Sequence, residues 1–450
     1  MPKRFHKFLS VVAFAAVAFV AVPCSCTANA LKTYVQQADK TFSWNSATQS
    51  TIGNFTLTHV TMRSQTWRGR VWTHDLQIIR PHVVRHPEIA LLYITGDGDG
   101  LSSVSLLQAL ADRAGAVAAV VTRVPNQPLF DGRAEDALIA YTFDQYVRTG
   151  DETWPALFPM TKSAVRAMDT MQAWASKEHQ QKIEKFVVTG ASKRGWTAWL
   201  VGAVDPRVTA TAPIVFDMLN MKAQTDWAKK VYGKQSEQIS DYTDLKLVDQ
   251  IDTPPMQKLR SWVDPYSYRA SYNIPKLLLL GTNDPYWTVD ALRHYWHDLP
   301  EPKILFQTPN AGHSLNTQAT ETLIAFFQMI ADKEELPKME WQLAGDGNGK
   351  LALKVNRQAK AVHLWTADST TRDFRDSKWS KQTLEIKPGS SWALAEVEKP
   401  TSGYRAFMGE VVLTSSTGHE YKLSTQVQVV PDDAQSFSKV PCRTQAACSG

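Results

Sequence analysis

The sequence predicts an α/β fold, in which a mostly parallel sheet is flanked by helices, with a small β-sandwich domain at the C-terminal end. Between Leu76 and Val215, apolar β-type runs alternate with helical patterns, as strand–helix–strand units do in sequence. After Pro337 the pattern changes to short alternating segments, which indicates an all-β region. The chain has 450 residues, of which 43% are hydrophobic, so it can bury a core in both regions.

The predicted elements of the first region start with a buried strand and end with a long helix. In chain order they are strand Ile89–Thr95, helix Leu101–Arg113, strand Ala116–Val121, helices Ala134–Tyr146 and Pro159–Ala175, strand Phe186–Thr189, helix Trp196–Val204, strands Thr209–Val215, Lys276–Leu280 and Lys303–Gln307, and helix Thr320–Ala331. The predicted strands of the second region are Leu351–Val355, Ala361–Trp365, Gln382–Ile386 and Glu410–Thr414. The chain therefore divides into a first domain over residues 31–335, a β-sandwich over 338–430 and a tail over 431–450.

The first thirty residues have the pattern of a secretory signal peptide. Basic residues near the start precede an apolar run from Phe8 to Val22, and Ala28-Asn-Ala30 is a small-residue cleavage pattern. The alternative is an uncleaved anchor, but the run is shorter than the roughly 20 residues that a spanning helix needs. We expect export to the periplasm or the medium, with no stable membrane span in the mature protein.

Charge and cysteine content restrict the function further. Residues 1–30 contain three basic and no acidic residues, so the formal charge of +5 falls to about +2 after cleavage. This small charge argues against nucleic-acid binding. Two cysteines remain, Cys442 and Cys448, and an oxidising compartment would permit one small disulfide between them.

Ser192 lies where a predicted strand meets a predicted helix, in Thr189-Gly-Ala-Ser-Lys-Arg-Gly-Trp196. A serine hydroxyl needs a base to remove its proton, and a strand–turn–helix elbow holds such a hydroxyl at the C-terminal edge of a sheet. The usual pattern has glycine two positions on either side of the serine. Gly190 fits, whereas Arg194 occupies the second position and Gly195 comes one later. The alternative reading is that Ser192 only caps the following helix.

Two later residues complete a predicted triad. Asp284 follows the strand Lys276–Leu280, and His313 follows Lys303–Gln307, which gives the chain order Ser, Asp, His of α/β-hydrolases. In this scheme His313 is the base for Ser192, and Asp284 orients the imidazole. Asp217, after the strand Thr209–Val215, is the alternative acid.

The tetrahedral intermediate of such a reaction needs backbone N–H donors. The residue after the nucleophile, Lys193, is one candidate, and the loop Gly96-Asp-Gly-Asp-Gly100, with Gly96 and Asp97 first, is the other. As a dinucleotide motif this loop lacks its third glycine, because Leu101 stands there. As a calcium loop it lacks the final acidic residue, because Gln108 stands there. We therefore predict no cofactor.

Charged and aromatic residues beside the triad are candidate substrate contacts. Lys193 and Arg194 follow the nucleophile and would favour a substrate with an anionic group, the alternative being charges that face solvent. Tyr286 and Trp287 follow the candidate acid and would line the pocket. No metal site is predicted, because the histidines lack the spacing of a zinc motif.

Several segments resemble the PhoPQ-activated pathogenicity-related protein family, which includes an autocrine proliferation repressor branch. They are Val124-Pro-Asn-Gln-Pro128, Thr189-Gly-Ala-Ser-Lys-Arg-Gly-Trp196, Phe216-Asp-Met-Leu-Asn220, Gly281-Thr-Asn-Asp-Pro-Tyr-Trp287 and Gly403-Tyr-Arg-Ala-Phe407. The resemblance implies an α/β-hydrolase fold, a C-terminal β domain and an exported product. The elbow is also similar to that of glucuronoyl esterases, with Lys193 in place of an arginine.

The sequence thus supports two hypotheses about function. The first is an exported serine hydrolase that cleaves an ester or amide in a small-molecule, peptide or glycan-linked substrate, with esters preferred. The second is a secreted binding or signalling protein that keeps the fold without turnover, as the repressor branch suggests. Activity that survives the substitution Ser192→Ala would favour the second.

Overall fold

A computed structural model describes residues 29–345, 347–385 and 392–432. Most of the predicted signal peptide and the tail with Cys442 and Cys448 lie outside these residues. Helix α1 (Ala30–Gln36) begins at the last residue of the predicted leader, and the Asn29 side chain caps it by accepting from the N–H of Lys32. Among the described residues, none of the helices has the length and apolar character needed to cross a membrane.

The central sheet of the described part of the chain has nine strands. They are β1 (Ser43–Ile52), β2 (Phe55–Trp67), β3 (Arg70–Pro81), β4 (Ile89–Ile94), β5 (Val117–Val121), β6 (Lys185–Ala191), β7 (Val208–Ile214), β8 (Lys276–Gly281) and β9 (Lys303–Thr308). Their order is β1-β2-β3-β5-β4-β6-β7-β8-β9. The pairs β1–β2, β2–β3 and β3–β5 are antiparallel. The remaining neighbours in the sheet, from β5 through β4 to β9, are parallel.

This topology follows from the composition of the strands. β4, β5 and β8 are almost wholly buried apolar runs, as strands covered on both faces by helices must be. Alternate residues enter different cores: Val188 packs on one face of the sheet and Val187 on the other. The strand order, with the exchange of β4 and β5, is that of the α/β-hydrolase fold, and the predicted fold class is confirmed.

Eight further helices cover the sheet or extend from it within the described residues. They are α2 (Val104–Ala114), α3 (Glu135–Thr149), α4 (Leu157–His179), α5 (Lys193–Val204), α6 (Met221–Tyr232), α7 (Ser240–Asp244), α8 (Pro254–Val263) and α9 (Thr317–Ala331). α4 and α5 contribute to one core, and α2 and α9 to the other. The segment between β7 and β8 contains α6, α7 and α8, which lie over the C-terminal edge of the sheet, and we call residues 221–275 the cap.

Two antiparallel sheets follow α9. They contain β10 (Met339–Ala344), β11 (Gly349–Val355), β12 (Ala361–Ser369), β13 (Ser380–Thr383), β14 (Ala393–Val397), β15 (Tyr404–Thr414), β16 (Glu420–Ser424) and β17 (Gln428–Val430). The sheets pack face to face at Gly409, where an added Cβ would lie 2.8 Å from the Leu353 side chain. Their core is continuous with that of the first domain, because Phe326 and Phe327 of α9 share a cluster with Leu423.

Among its described residues, the structure contains four strands that the sequence prediction lacks, β10, β14, β16 and β17, and it differs at two further places. Strands β1 and β2 and the first half of β3 precede Leu76, where the predicted α/β region begins. The predicted strand Gln382–Ile386 is observed earlier, as β13, and Ile386 lies outside the described residues. Alternating strands at a sheet edge are half-exposed, so their hydrophobic pattern is weaker than that of central strands.

Candidate active site

Ser192 lies at the tight turn between β6 and α5. Its backbone has φ 56° and ψ −125°, a conformation that costs energy for a residue with a side chain. The turn is fixed on both sides, since the N–H of Ser192 donates to Ile214 O of β7 (2.8 Å) and its carbonyl accepts from Trp196 N (2.9 Å). Such strain holds the hydroxyl outside the sheet, as in the nucleophile elbow of α/β-hydrolases.

The two glycines of the elbow explain its unusual sequence. A Cβ on Gly190 would lie 2.6 Å from Arg194 O, and a Cβ on Gly195 would lie 2.8 Å from Ile214 O. Both positions must therefore lack a side chain for α5 to approach the sheet. The second close contact falls at Gly195, so Arg194 can stand where the usual pattern has glycine.

Hydrogen bonds join Ser192, His313 and Asp284 in one chain. His313 Nε2 lies 2.8 Å from Ser192 Oγ, and His313 Nδ1 lies 2.8 Å from Asp284 Oδ2. When Nδ1–H donates to the carboxylate, Nε2 is left to accept from the serine hydroxyl. Asp284 is 4% exposed, and its second oxygen accepts from Tyr286 N (3.0 Å). The Tyr286 ring covers the imidazole, with 4.2 Å between ring centroids.

The alternative acid has a different partner. Asp217 accepts a hydrogen bond from the Tyr295 hydroxyl and is buried. Burial raises the pKa of Asp217 well above its ordinary value, and the nearby charge of Asp284 raises it further. Asp284, rather than Asp217, is the carboxylate bonded to His313.

The candidate oxyanion donors lie at the same edge of the sheet as Ser192. Lys193 is the first residue of α5, and the N–H groups of a first helical turn have no acceptor within the helix. Gly96 and Asp97 follow β4, whose last residue, Ile94, pairs with Gly190 of the elbow. The Asp97 carboxylate accepts from Gln127 Nε2 (2.9 Å). Because an ionised carboxylate only accepts hydrogen bonds, the backbone N–H is the part of Asp97 that could donate to an oxyanion.

Arg194 does not offer a free cation to a substrate, contrary to the sequence prediction. Its guanidinium makes two bonds to the Glu135 carboxylate (2.6 and 2.7 Å), and its Nε–H donates to Val124 O (2.6 Å). Burial alone would raise the pKa of Glu135, but the bonds and charge of Arg194 lower it to about 2. The guanidinium also packs against Gly96, so Arg194 braces the elbow against the β4 loop.

The Lys193 ammonium is also paired. It donates to Asp136 Oδ2 (2.7 Å) and lies 3.3 Å from Glu135 Oε2. Burial would lower the pKa of Lys193, yet Asp136 and then Glu135 raise it, so the side chain stays charged. The Tyr242 hydroxyl of the cap donates to the other Asp136 oxygen (2.9 Å). The predicted preference for anionic substrates is therefore not supported by the charges around Ser192.

A pocket with largely apolar walls adjoins the Ser192 hydroxyl, and we call it the Ser192 pocket. Its volume is about 100 Å³. The hydrolase sheet side contributes Phe143, Trp196, Phe216, Met218, Tyr286 and Trp287. The cap contributes Met221, Tyr242, Leu247, Val248, Ile251 and Met256. Trp196 stacks on Phe216 at 5.0 Å between ring centroids, which makes one wall a rigid aromatic surface.

Sequence reasoning missed the acidic partners and the cap. Glu135 and Asp136 stand at the start of α3, where acidic residues are ordinary because they favour the helix dipole. Their pairing with Lys193 and Arg194 spans nearly sixty positions and has no local signal. The cap helices α6, α7 and α8 have only 12, 5 and 10 residues and are separated by irregular segments, so each carries only a brief periodic pattern.

The histidines of the described residues do not cluster with other possible metal ligands. Groups of three or more His, Cys, Asp or Glu side chains that could hold an ion are absent from these residues. His74 is buried, with Nε2 2.9 Å from Ser64 Oγ, and burial lowers its pKa to about 4. It is a neutral residue of the core.

The sheet order, the strained serine after β6 and its bonded histidine and aspartate define a protein of the α/β-hydrolase class. Within that class, the chain belongs to the PhoPQ-activated pathogenicity-related protein family, whose model matches residues 31–375. It is 32% identical to autocrine proliferation repressor protein A of Dictyostelium discoideum, and the matched region covers 89% of this chain and 90% of that protein. The family resemblance inferred from the sequence is confirmed.

Solved structures similar to this chain include two esterases. Acetyl xylan esterase 1 from Thermoanaerobacterium sp. JW/SL YS485 has 12% sequence identity and a TM-score of 0.49, over 67% of this chain and 92% of that chain. Glucuronoyl esterase from Solibacter usitatus has 12% identity and a TM-score of 0.41, over 66% of this chain and 90% of that chain.

Proposed function

We propose that this protein is an exported serine hydrolase that cleaves a carboxylic ester through an acyl-enzyme on Ser192. The observation that carries the proposal is the pair of 2.8 Å hydrogen bonds that join Ser192 to His313 and His313 to Asp284. This arrangement allows one imidazole to take and return the same proton, as acyl transfer requires. The leader pattern of residues 1–30 supports the export part of the proposal.

In the first half of the reaction, Ser192 Oγ forms a bond to the ester carbonyl carbon while His313 Nε2 takes the hydroxyl proton. Asp284 stabilises the imidazolium that results. The carbonyl oxygen becomes an oxyanion, for which the N–H of Lys193 and an N–H of the Gly96-Asp97 loop are the proposed donors. The bond to the alkoxy oxygen then breaks, and His313 gives the proton to the departing alcohol.

In the second half, water replaces the alcohol. His313 takes a proton from the water as its oxygen bonds to the acyl carbon, and Ser192 Oγ leaves with the proton that His313 returns. The products are a carboxylic acid and the free enzyme. An ester is preferred to a peptide because the Ser192 pocket is short and apolar, whereas extended peptides are usually bound along a sheet edge by main-chain hydrogen bonds.

Steady-state hydrolysis of para-nitrophenyl butyrate tests this proposal. We expect wild-type protein to release nitrophenol catalytically, and Ser192→Ala and His313→Ala each to lower kcat by at least about a thousandfold. The control is Asn348→Ala. The Asn348 side-chain amide donates to the Glu396 carboxylate and accepts from Lys399 N, both in the C-terminal β region. Equal turnover by wild type and Ser192→Ala would refute the proposal.

A second candidate function is a secreted regulatory protein without turnover. The name of the Dictyostelium discoideum relative favours it, because that protein is described as a proliferation repressor. Under this alternative, conditioned medium containing Ser192→Ala would retain the whole biological effect of the wild type. Loss of the effect with the substitution would instead connect it to catalysis.

A further inference from the structure

We propose that the substrate carries a compact, uncharged apolar group next to the scissile ester, which occupies the Ser192 pocket. This inference rests on the proposed function and specifies its substrate class. It is carried by three features of the pocket, namely its charge balance, its walls and its volume.

The charges at the elbow cancel within the protein. Lys193 and Arg194 together bring two positive charges, and Glu135 and Asp136 bring two negative ones at 2.6 to 3.3 Å from them. Arg260 of α8 is a further cation of the pocket wall, on the cap side, and it is only weakly paired: its guanidinium lies 4.0 Å from the exposed Asp252, and its Nε has no hydrogen-bond partner among the described residues. Beside Ser192, an anionic substrate group would have to displace Glu135 and Asp136 and lose its hydration at the same time, which costs more than it gains.

The walls of the Ser192 pocket are largely apolar. The aromatic surface of Trp196 and Phe216 faces cap residues such as Leu247 and Met256, and each of these side chains is nearly buried. Transfer of an apolar group from water to such walls is favourable by about 25 cal/mol per Å². A charged group would lose its hydration on contact with these apolar walls, which is costly.

The volume limits the size of that group. An apolar cavity of about 150 Å³ holds one benzene molecule in another protein. The Ser192 pocket, at about 100 Å³, therefore has room for roughly four heavy atoms. A butyryl group or a small branched acyl group fits within this volume.

Binding to the Ser192→Ala variant tests the inference without turnover. The probes are para-nitrophenyl butyrate and para-nitrophenyl hemisuccinate, which differ mainly in a terminal methyl or carboxylate. We expect calorimetry to give a Kd at least about tenfold lower for the butyrate, the factor that corresponds to 1.4 kcal/mol. Equal affinity, or tighter binding of the hemisuccinate, would overturn the inference.

A double variant serves as the matched comparison. Glu135→Gln with Asp136→Asn in the Ser192→Ala background leaves Lys193 without its counter-charges, and the preference should move toward the hemisuccinate. An unchanged ratio would mean that the carboxylates do not set the charge preference. Because these are binding measurements, they stay informative even if wild-type protein lacks esterase turnover, which is the separate failure of the proposed function.

A different observation carries a second inference. We infer that the loop between β12 and β13 holds the acid and histidine loops in register, which makes Asn283 and Asn310 positioning residues. The Asn283 amide donates to the carbonyls of Phe374 (3.3 Å), Arg375 (3.0 Å) and Ser377 (2.7 Å). The Asn310 amide donates to Trp379 O (2.9 Å) and accepts from Trp379 N (2.8 Å).

The two loops are also tied to each other. Asn283 N donates to Ala311 O (2.9 Å). The Thr282 hydroxyl donates to Asn283 Oδ1 (2.8 Å) and accepts from Asn310 N (3.0 Å). Asn283 directly precedes Asp284, and Asn310 stands three residues before His313. One amide clamp on each loop therefore fixes the carboxylate and the imidazole relative to each other.

The clamp rests on a packed base. Phe374 and Trp379 are nearly fully buried and share a small core with Val289, which follows the acid loop. The β12–β13 loop cannot shift without disturbing this core. The second inference also depends on the proposed function, because the geometry that it maintains is that of the proposed triad.

Asn283→Ala and Asn310→Gly test the clamp, the glycine being chosen because Asn310 has φ 55°. We expect kcat for para-nitrophenyl butyrate to fall about tenfold or more while KM changes less than about twofold. The downfield proton resonance of the His313–Asp284 hydrogen bond should weaken in both variants and persist in Asn348→Ala. An intact resonance with unchanged kcat in folded variants would overturn the inference. Because this resonance does not depend on catalysis, it tests the clamp even if the wild-type protein has no esterase turnover.

Discussion

At the scale of single residues, the site depends on close backbone contacts that only glycine permits. An added Cβ on Gly281, at the end of β8, would meet the carbonyl oxygens of Ala311 and Gly312 closer than van der Waals contact. These oxygens belong to the loop that carries His313. The distance between the acid and histidine loops is therefore set by the absence of one side chain.

Gly281→Ala should separate Asp284 from His313 and lower kcat by about a hundredfold, the usual order for a misplacement near 1 Å. Gly312→Ala is the matched control on the facing loop, because its Cβ would find nothing closer than Asn283 O at 3.6 Å. Ester hydrolysis by the two folded variants measures the effect. Similar kcat for both variants would contradict this account of the contact.

The Glu135 carboxylate should make stability at the elbow depend on pH. Its pKa is lowered from 4.5 to about 2, because Arg194 outweighs the opposing effect of burial. The unfolded chain therefore binds the proton more tightly, and the stabilisation is fully present above about pH 4.5 and is lost as the pH falls toward 2. Urea unfolding should show the stability gap between wild type and Glu135→Gln narrowing from pH 6 to pH 3. A gap that stays constant would show that the ion pair does not stabilise the fold.

At the scale of elements, the cap and the sheet edge together determine which group fits beside Ser192. Met218 lies between the elbow side of the pocket and the cap, and it is only partly buried, so its truncation should spare the fold. Met218→Ala should move the optimum in a series of para-nitrophenyl esters from about four acyl carbons to a longer chain. An optimum that does not move would mean that Met218 does not limit the pocket.

The elements differ in how far the sequence could predict them. Strands such as β4 and β8 and the order of Ser192, Asp284 and His313 were predictable, because a buried strand and the residue after it are local patterns. The charge pairing of Arg194 with Glu135 was not, since it depends on which helix start the fold brings to the elbow. The cap was missed because its helices are short and separated by irregular segments, so that each has only a brief periodic pattern.

At the scale of the whole molecule, the C-terminal sheets are part of the hydrolase core. Phe326 and Phe327 of α9 share one cluster with Leu351 and Leu423, and Gln307 N of β9 donates to Ser424 Oγ (2.8 Å). A separate domain on a linker would have a core of its own. The composition change at Pro337 correctly marked the start of the β region, but it gave no information about this shared core.

We therefore expect the full chain to unfold as one unit. Differential scanning calorimetry should show a single transition with a calorimetric enthalpy equal to the van't Hoff enthalpy. Disruption of the shared core by Phe326→Ala should shift the whole transition to lower temperature, by a destabilisation of about 3–5 kcal/mol. Two resolved transitions, only one of which moves, would contradict a common core.

The central claim is that Ser192 is a nucleophile activated by His313 and Asp284. Its most direct test is to incubate the folded protein with a fluorophosphonate probe and to map the modified peptide by mass spectrometry. The account predicts labelling of wild-type protein at Ser192, loss of labelling in Ser192→Ala, and labelling in Asp284→Asn that is slower by a factor on the order of 10⁴. Absence of labelling in folded wild-type protein, or labelling that persists in Ser192→Ala, would contradict it.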